Sequence, residues 1–314
     1  MITTVNPLHL LTLYHHRNDV LWTNTELLLM RGFQQVITSV GIESLVGSRE
    51  WFSQALAPNS LHVYAFGQVA LENHGARLNW LLPVGFAESD PLPELLDNLA
   101  MEAGLRGAKF VAASARVDDC LYETLRRAGY CLCGWQSIWE LPQSILNSTQ
   151  SRRISWGRPD PIDAIDLTLL QRKLLSPATQ SVTTFATQNL PDFALKIDGA
   201  LKGYARVNCF NNKVLIAPVL MKTSDALESI LSALLTEYFP SADALYLLQT
   251  ADTGWLTGDL EKIGTRFTPR EELLVKHFAA MLKLPSAELN HSASSHRADT
   301  ATSMLPSAGR KDNI

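Results

Sequence analysis

The stretch that decides the fold is KFVAASARVDDCLYETLRRAGYCLCGWQSIWEL, residues 109–141, because the chain contains its pattern twice. The letters indicate a strand, an amphipathic helix that ends before Gly129, and a long last strand. The same order returns over residues 244–278, where Gly264 falls 135 residues after Gly129. The strands on either side of the glycine keep this offset. A constant offset over strand, helix and strand predicts two related copies of one unit.

Each copy extends the pattern on its N-terminal side in the same way. A strand, RLNWLLP at 77–83 or KVLIAPVL at 213–220, precedes a helix, over 91–105 or 225–239. Leucines at helical spacing give each of these helices one apolar face for a core.

The second copy also carries a predicted three-stranded antiparallel meander. Its strands are 193–197, 201–210 and 213–220, and its turns are Asp198-Gly199 and Asn211-Asn212. The corresponding part of the first copy is less regular. Its predicted elements are a strand over 8–16, helices over 26–40 and 49–56, and strands over 61–66 and 68–72.

This order predicts an α+β fold of two tandem domains, each a mixed, mostly antiparallel sheet flanked by helices. The predicted limits are 1–141 for the N-terminal domain, 142–153 for a polar linker, 154–284 for the C-terminal domain and 285–314 for a disordered tail. The tail is predicted to be disordered because it contains almost no large apolar residues.

Composition excludes several classes of function. The formal charge of −4 and the pI of about 6.1 argue against a nucleic-acid partner. No apolar run reaches the roughly 18 residues that cross a bilayer, and the first residues lack a signal-peptide pattern. We therefore expect a cytoplasmic protein without a membrane partner. The four cysteines lack zinc-site spacing, so we expect free, buried thiols and no metal.

A meander, a helix, a strand, a second helix that ends at a glycine, and a last strand form the order of the GNAT superfamily of N-acetyltransferases. DDCLYETLRRAGY, residues 118–130, resembles the segment of LYEKLGF type that these proteins carry there. The second copy, 252–267, is looser, with Thr265 where an aromatic residue usually follows the glycine. Over about 8–281 the chain resembles a tandem GNAT protein.

The resemblance implies an N-acyltransferase that uses acetyl-CoA or another acyl-CoA and acts on an amine. In that superfamily the fourth strand splays from the fifth, and the acyl-pantetheine arm lies in the gap. A glycine-containing loop then binds the pyrophosphate at a helix N-terminus, where unpaired N–H groups and the dipole favour an anion. In the second copy the resemblance assigns this role to Pro218, Val219, Leu220, Lys222 and Ser224. The last two would contribute a point charge and a hydroxyl.

Both copies depart from the glycine-containing loop. VGFAESDP, residues 84–91, has one glycine, and VLMKTSD, residues 219–225, has none. An aspartate stands at the start of each following helix, Asp90 and Asp225. A carboxylate at an N-cap would occupy the N–H groups that a phosphate needs and would repel its charge. The sequence therefore predicts self-capped helices rather than a complete coenzyme cradle.

The resemblance also implies a tyrosine, four residues before the glycine, that protonates the leaving thiolate. Leu125 and Leu260 stand at that position in the two copies. Tyr122, one helical turn before Leu125, is the candidate catalytic residue, and the alternative is that it packs at the edge of the core.

Two further hypotheses concern the gaps. Glu72, His74 and Glu140 are candidates for deprotonating an amine, provided that they face a gap. The first 40 residues contain a largely apolar stretch that includes Trp22, residues 27–30 and Phe33. If this stretch packs over the splayed strands, protein fills the gap of the first copy.

Two functions stay open from the sequence. One is an acyl-CoA-dependent N-acyltransferase, with the second copy as the better candidate for the active domain. The other is a catalytically inactive GNAT-fold protein that binds or regulates a protein partner. An open gap would favour the first function, and two filled gaps would favour the second.

Overall fold

One mixed β-sheet runs through both copies. The computed structural model describes residues 2–6, 9–32, 40–41, 48, 50–57, 63–72, 74–84, 91–147, 153–183 and 190–278. The strands of the first copy are β1 (Ile2–Thr4), β2 (Leu21–Trp22), β3 (Trp51–Leu56), β4 (Ala65–Glu72), β5 (Gly75–Pro83), β6 (Phe110–Ala115) and β7 (Cys131–Leu141). Those of the second copy are β8 (Ile154–Gly157), β9 (Phe193–Ile197), β10 (Ala200–Phe210), β11 (Lys213–Leu220), β12 (Ala244–Thr250), β13 (Thr265–Arg266) and β14 (Glu271–His277).

Helices cover both faces of this sheet. They are α1 (His9–His15), α2 over residues 25–32, α3 (Leu92–Leu105), α4 (Cys120–Arg127), α5 (Ala164–Leu174), α6 (Pro177–Thr183), α7 (Leu227–Tyr238) and α8 (Thr257–Ile263). The leucine faces of α3 and α7 form the centres of the two largest hydrophobic cores, as the helical spacing predicts. No helix among the described residues is both long and apolar enough to cross a bilayer.

The two copies exchange their last strands. The sheet order is β1-β3-β4-β5-β6-β14-β7-β12-β11-β10-β9-β8, with β2 beside β5 and β13 beside β7. Thus β14 pairs with β6 of the first copy, and β7 pairs with β12 of the second. Gln136 and Glu271 lie directly opposite each other in the β7–β14 pair and are 135 residues apart. A pseudo-two-fold axis that relates the copies therefore passes between these two residues.

The meander of the second copy is confirmed, including both turns. Ile197 pairs with Ala200, and Phe210 pairs with Lys213, so each hairpin has a two-residue connection. All four turn residues have positive φ, between 47° and 77°. This is the type I′ geometry, whose twist matches that of the strands and which asparagine, aspartate and glycine tolerate best.

Three predictions for the first copy are wrong. Residues 9–15 form a helix rather than a strand, and residues 51–56 form a strand rather than a helix. Short apolar runs do not distinguish these states, and pairing with β4 decides the second case. The two strands predicted around Gly67 are a single strand, β4, because Leu99 of α3 packs over the glycine instead of a turn forming there.

Other predictions are corrected or lie outside the described residues. The cysteines are free, but Cys120, Cys131 and Cys209 are exposed and Cys133 is half-buried, so their predicted burial is wrong. Residues 143–147 of the predicted linker form a short 3-10 helix. The rest of that linker up to residue 152 and the predicted tail lie outside the described residues.

We expect Gly203→Ala to lower the free energy of unfolding by about 1–3 kcal/mol, the usual cost of overpacking. A Cβ at Gly203 would lie 2.8 Å from the Val219 carbonyl oxygen and 2.7 Å from Leu220 Cδ2, so β11 would have to move. Gly157→Ala is the matched control, because no heavy atom lies within 4 Å of its added Cβ. Urea unfolding checks both variants, and equal stability of the two would contradict the close packing of β10 on β11.

Candidate functional site

Each copy contains a gap between two parallel strands of the sheet. Strands β5 and β6 pair only at Ala76 and Arg77, and then part. We call the space beyond Arg77 the first gap. Strands β11 and β12 pair through Ile216 and then also part, and we call the space beyond Ile216 the second gap. Both copies therefore keep the splayed strands that the resemblance implies.

Protein fills the first gap. Residues Leu21–Asn24, which we call the plug, lie between β5 and β6 and bond to both. The Thr23 N–H donates to the Asn79 carbonyl at 3.1 Å, and the Ser114 N–H donates to the Thr23 carbonyl at 2.9 Å. The Thr23 hydroxyl also donates to the Leu78 carbonyl at 2.6 Å. The plug thus satisfies backbone groups that the parting of the strands would leave unpaired.

Polar side chains hold the plug in place. Asn24 donates through its side chain to Asn79 at 3.0 Å, and Asn79 donates to Gln68 at 3.2 Å. Thr23 is fully buried, and Asn24 is nearly so.

The hypothesis that the N-terminal stretch fills the first gap is therefore confirmed for the segment that contains Trp22, and the residues that enter the gap are polar as well as apolar. Leu29 and Met30 instead pack in a core cluster with residues of β7, β11 and β12, and Phe33 lies outside the described residues.

The second gap opens into a cavity. Ala217, Pro218 and Val219 from β11, with Leu248 and Thr250 from β12, line a cavity of about 910 Å³. Ala217 and Val219 lie on the face of the sheet opposite α7, because Val214, Ile216 and Leu220, which alternate with them along β11, pack into the α7 core. The first gap is therefore filled by protein, whereas the second gap is open.

Pro218 stands at the point of β11 where the backbone faces the second gap. The Met221 N–H donates to the Lys202 carbonyl of β10, and hydrogen bonding alternates along an antiparallel strand. Residues 218 and 220 therefore direct their backbone groups away from β10 and into the gap. Proline has no N–H and is tolerated only where the sheet needs none. On the β11 side, the backbone groups of these two residues that face the gap are thus the Leu220 N–H and the carbonyls of Pro218 and Leu220.

On the other face of the sheet, the N-terminus of α7 lies beside the second gap. Residue 226 occupies the N-cap position and makes no side-chain cap hydrogen bond. The Asp225 carboxylate instead accepts from the Thr223 hydroxyl at 2.8 Å. The prediction that Asp225 caps this helix is therefore wrong. Asp90 lies outside the described residues, and α3 begins after Pro91 without a side-chain cap hydrogen bond.

The residues assigned to acyl-CoA surround this opening. Pro218 and Val219 line the cavity, and Leu220 is buried with its backbone toward the gap. Lys222 and Ser224 are exposed in the loop before α7. The Lys222 ammonium lies 5.9 Å from the centre of the Trp255 ring, which belongs to the segment after β12. The lysine therefore extends across the mouth of the gap from one strand toward the other.

The first copy supplies the far wall of the cavity. Glu72 lines it, whereas His74 and Glu140 do not. The surrounding protein raises the pKa of the Glu72 carboxyl by desolvation, and the charges of Arg77 and Arg206 counteract this shift. Glu72 is nevertheless an exposed residue. Of the three candidates for deprotonating an amine, only Glu72 lines this cavity.

The structure places Tyr122 away from the open gap. Its ring packs against the core of the first copy, whose gap the plug fills. Leu260, at the corresponding position of the second copy, is fully buried. Tyr204 on β10 lies opposite Val219 in the β10–β11 pair and lines the cavity. Burial raises the pKa of Tyr204, so its phenol stays protonated at neutral pH. Tyr204 and Val219 are cross-strand neighbours, so their side chains lie on the same face of the sheet. The register of the predicted hairpin is the signal that could have identified Tyr204 from the sequence.

Comparison with solved structures identifies the fold as that of the GNAT superfamily. A GCN5-related N-acetyltransferase from Sphaerobacter thermophilus superposes with a TM-score of 0.51 at 13% identity, covering 88% of this chain and 95% of that one. A putative acetyltransferase from Pyrococcus horikoshii gives 0.50 at 11% identity, covering 89% of each chain. Both superpositions span the two copies. No protein-family model matches the chain, and no curated protein matches it in sequence.

A third similar structure is a GCN5-related glucosamine N-acetyltransferase region of a fungal multi-domain GH3 β-N-acetylglucosaminidase. Its TM-score is 0.51 at 13% identity, and the match covers 88% of this chain and 38% of that one. Identities this low establish the fold and leave the chemistry to the residues of the site. The chain thus has the GNAT fold in two copies, one with a plugged gap and one with an open gap.

We expect Thr23→Val to lower the free energy of unfolding by about 1–3 kcal/mol, because the Leu78 carbonyl would lose its buried donor. Thr265→Val, at an exposed strand position, is the control and should change stability by less than about 0.5 kcal/mol. Urea unfolding of the two variants measures the difference. A Thr23→Val protein as stable as the control would show that the plug is not held through this hydroxyl.

Proposed function

We propose that the protein is an acyl-CoA-dependent N-acyltransferase with a single coenzyme site, located in the second copy. The observation that carries this proposal is the contrast between the gaps. The second gap opens into a cavity that can admit an acceptor, whereas the plug occupies the first. The first copy then serves as a wall of the acceptor cavity.

The helix face of the second gap supports coenzyme binding. The N–H groups at the start of α7 are not taken by a side-chain cap, and the Lys222 ammonium lies across the mouth. Unpaired N–H groups and a cation together favour a pyrophosphate. The Leu220 N–H and the carbonyls of Pro218 and Leu220 are the backbone groups available to a pantetheine arm.

The cavity face supports acyl transfer to an amine. Glu72 is a carboxylate that can accept the proton of an attacking ammonium, and Tyr204 is a protonated phenol beside the gap. We assign to Tyr204 the protonation of the leaving thiolate. Leu260, which stands where the resemblance implies a tyrosine for this step, has no group that can donate a proton. Positioning both reactants beside one gap supplies most of the expected rate enhancement.

Calorimetric titration with acetyl-CoA tests the coenzyme site. We expect one molecule bound per chain, because only one gap is open. Lys222→Glu should weaken binding at least tenfold, since the variant places a negative charge beside the phosphates. Lys173→Glu is the control, because it reverses an exposed charge on α5 and should leave the affinity unchanged. Absence of binding, or two molecules per chain, would contradict a single site in the second copy.

A second candidate function is acyl-CoA binding without transfer, in a regulatory protein. The observation that favours it is Pro218, which provides no N–H to a thioester carbonyl in the gap. Release of the CoA thiol from acetyl-CoA distinguishes the two functions, with amino acids, polyamines and amino sugars offered as amines. Binding without thiol release from any of these amines would support the regulatory function.

With an amine that supports transfer, we expect Tyr204→Phe to lower thiol release at least tenfold. Its affinity for acetyl-CoA should stay within twofold of the unsubstituted protein, because the phenol lies on the acceptor face. Tyr122→Phe is the control, since Tyr122 packs against the core of the first copy. Equal rates for the two variants would remove Tyr204 from the mechanism.

A further inference from the structure

Helix α5 packs one of its faces into the core of the second copy. Leu167 and Leu170 from this face are buried in one cluster with Tyr204 of β10. They are three residues apart, which is the spacing of neighbours on one side of a helix. The opposite side of α5 therefore points away from this core.

That outer side of α5 carries a stripe of large apolar side chains. Ile162, in the 3-10 turn directly before the helix, is 85% exposed, Ile165 is 73% exposed and Leu169 is 57% exposed. We call these three residues the α5 stripe. Their spacing of three and then four residues is that of a helix seam that packs against a second helix. Adjacent large apolar side chains that are exposed in this way indicate an interaction surface.

Opposite charges flank the α5 stripe on one side. Asp166 and Lys173 are both exposed and are seven residues apart, which is two helical turns. Among the described residues neither forms an ion pair, whereas Asp163 lies 3.5 Å from the Lys196 ammonium. An acid near the start of a helix and a base near its end also suit the helix dipole. The dipole does not account for the apolar stripe between them.

We infer that the α5 stripe is the contact between two copies of this chain, whose α5 helices pack antiparallel about a two-fold axis. Asp166 and Lys173 are equally distant from the midpoint between residues 169 and 170. In an antiparallel pair centred there, the Asp166 carboxylate of one copy faces the ammonium of the partner's Lys173. The two-fold axis forms this ion pair twice.

The flanking charges also select the orientation and limit the strength of the contact. A parallel arrangement would place the two basic helix ends side by side, where they repel each other. Flanking charges are the usual means by which paired helices choose their partner and orientation. One helix from each copy buries less than the roughly 800 Å² per partner of a standard stable interface, so we expect a dimer with a dissociation constant in the micromolar range.

Sedimentation velocity of the full chain, from about 1 to 200 μM, tests the inference. We expect the monomer to convert to a dimer over this range. Leu169→Asp should remain monomeric throughout, because it places a carboxylate in the apolar seam. Met101→Asp is the matched control, since Met101 is 59% exposed on α3 and should leave dimer formation unchanged. Urea unfolding confirms that both variants are folded.

Exchange of the flanking charges tests the antiparallel arrangement. Asp166→Lys and Lys173→Glu should each weaken the dimer by about tenfold, because each places like charges opposite one another twice. The double variant should regain the original dissociation constant to within about twofold. A chain that stays monomeric, a dimer that survives Leu169→Asp, or a double variant as weak as the single ones would overturn the inference. Coenzyme binding is measured separately, so these outcomes leave the proposed function untouched.

Discussion

Backbone groups that lose their partner inside a protein must find another, and this constraint governs both gaps. Where β5 leaves β6, the plug supplies hydrogen bonds to each strand and fills the space. Where β11 leaves β12, Pro218 has no N–H that needs an acceptor, and the remaining backbone groups face the open gap. The same parting of strands therefore gives a gap filled by protein in one copy and an open gap in the other.

The exchange of last strands makes these two outcomes interdependent. Because β14 and β7 lie side by side at the pseudo-two-fold axis, the sheet continues without a break from the plugged gap to the open one. A polar network joins the elements at this axis: Glu271 accepts from the Thr25 hydroxyl at 2.6 Å and from Gln136 at 3.3 Å. Thr25, the residue directly after the plug, is thus linked to the last strands of both copies through Glu271.

Much of the fold follows from local sequence signals, whereas the pairing of strands between the two copies does not. The repeat, the helices of the cores and the type I′ turns are predicted because each depends on residues close together in the chain. Strand exchange is not predictable in this way, since β7 has the same apolar pattern whichever copy it completes. The plug was anticipated only as an apolar cover, although Thr23 and Asn24 enter the gap because they can hydrogen bond. The prediction that Asp225 caps α7 is wrong because the Asp225 carboxylate accepts a hydrogen bond from the Thr223 hydroxyl instead of from the first N–H groups of the helix.

The exchange also has a consequence for the growing polypeptide. Strand β6 is translated early, but its neighbour β14 lies close to the end of the described chain. At about 5–20 residues per second, a ribosome needs on the order of ten seconds to make the residues between them. During that interval the first copy exposes an unpaired strand edge, the kind of surface that promotes aggregation. Efficient production of this protein should therefore depend on chaperones, or on slow growth at low temperature, more than its final stability would suggest.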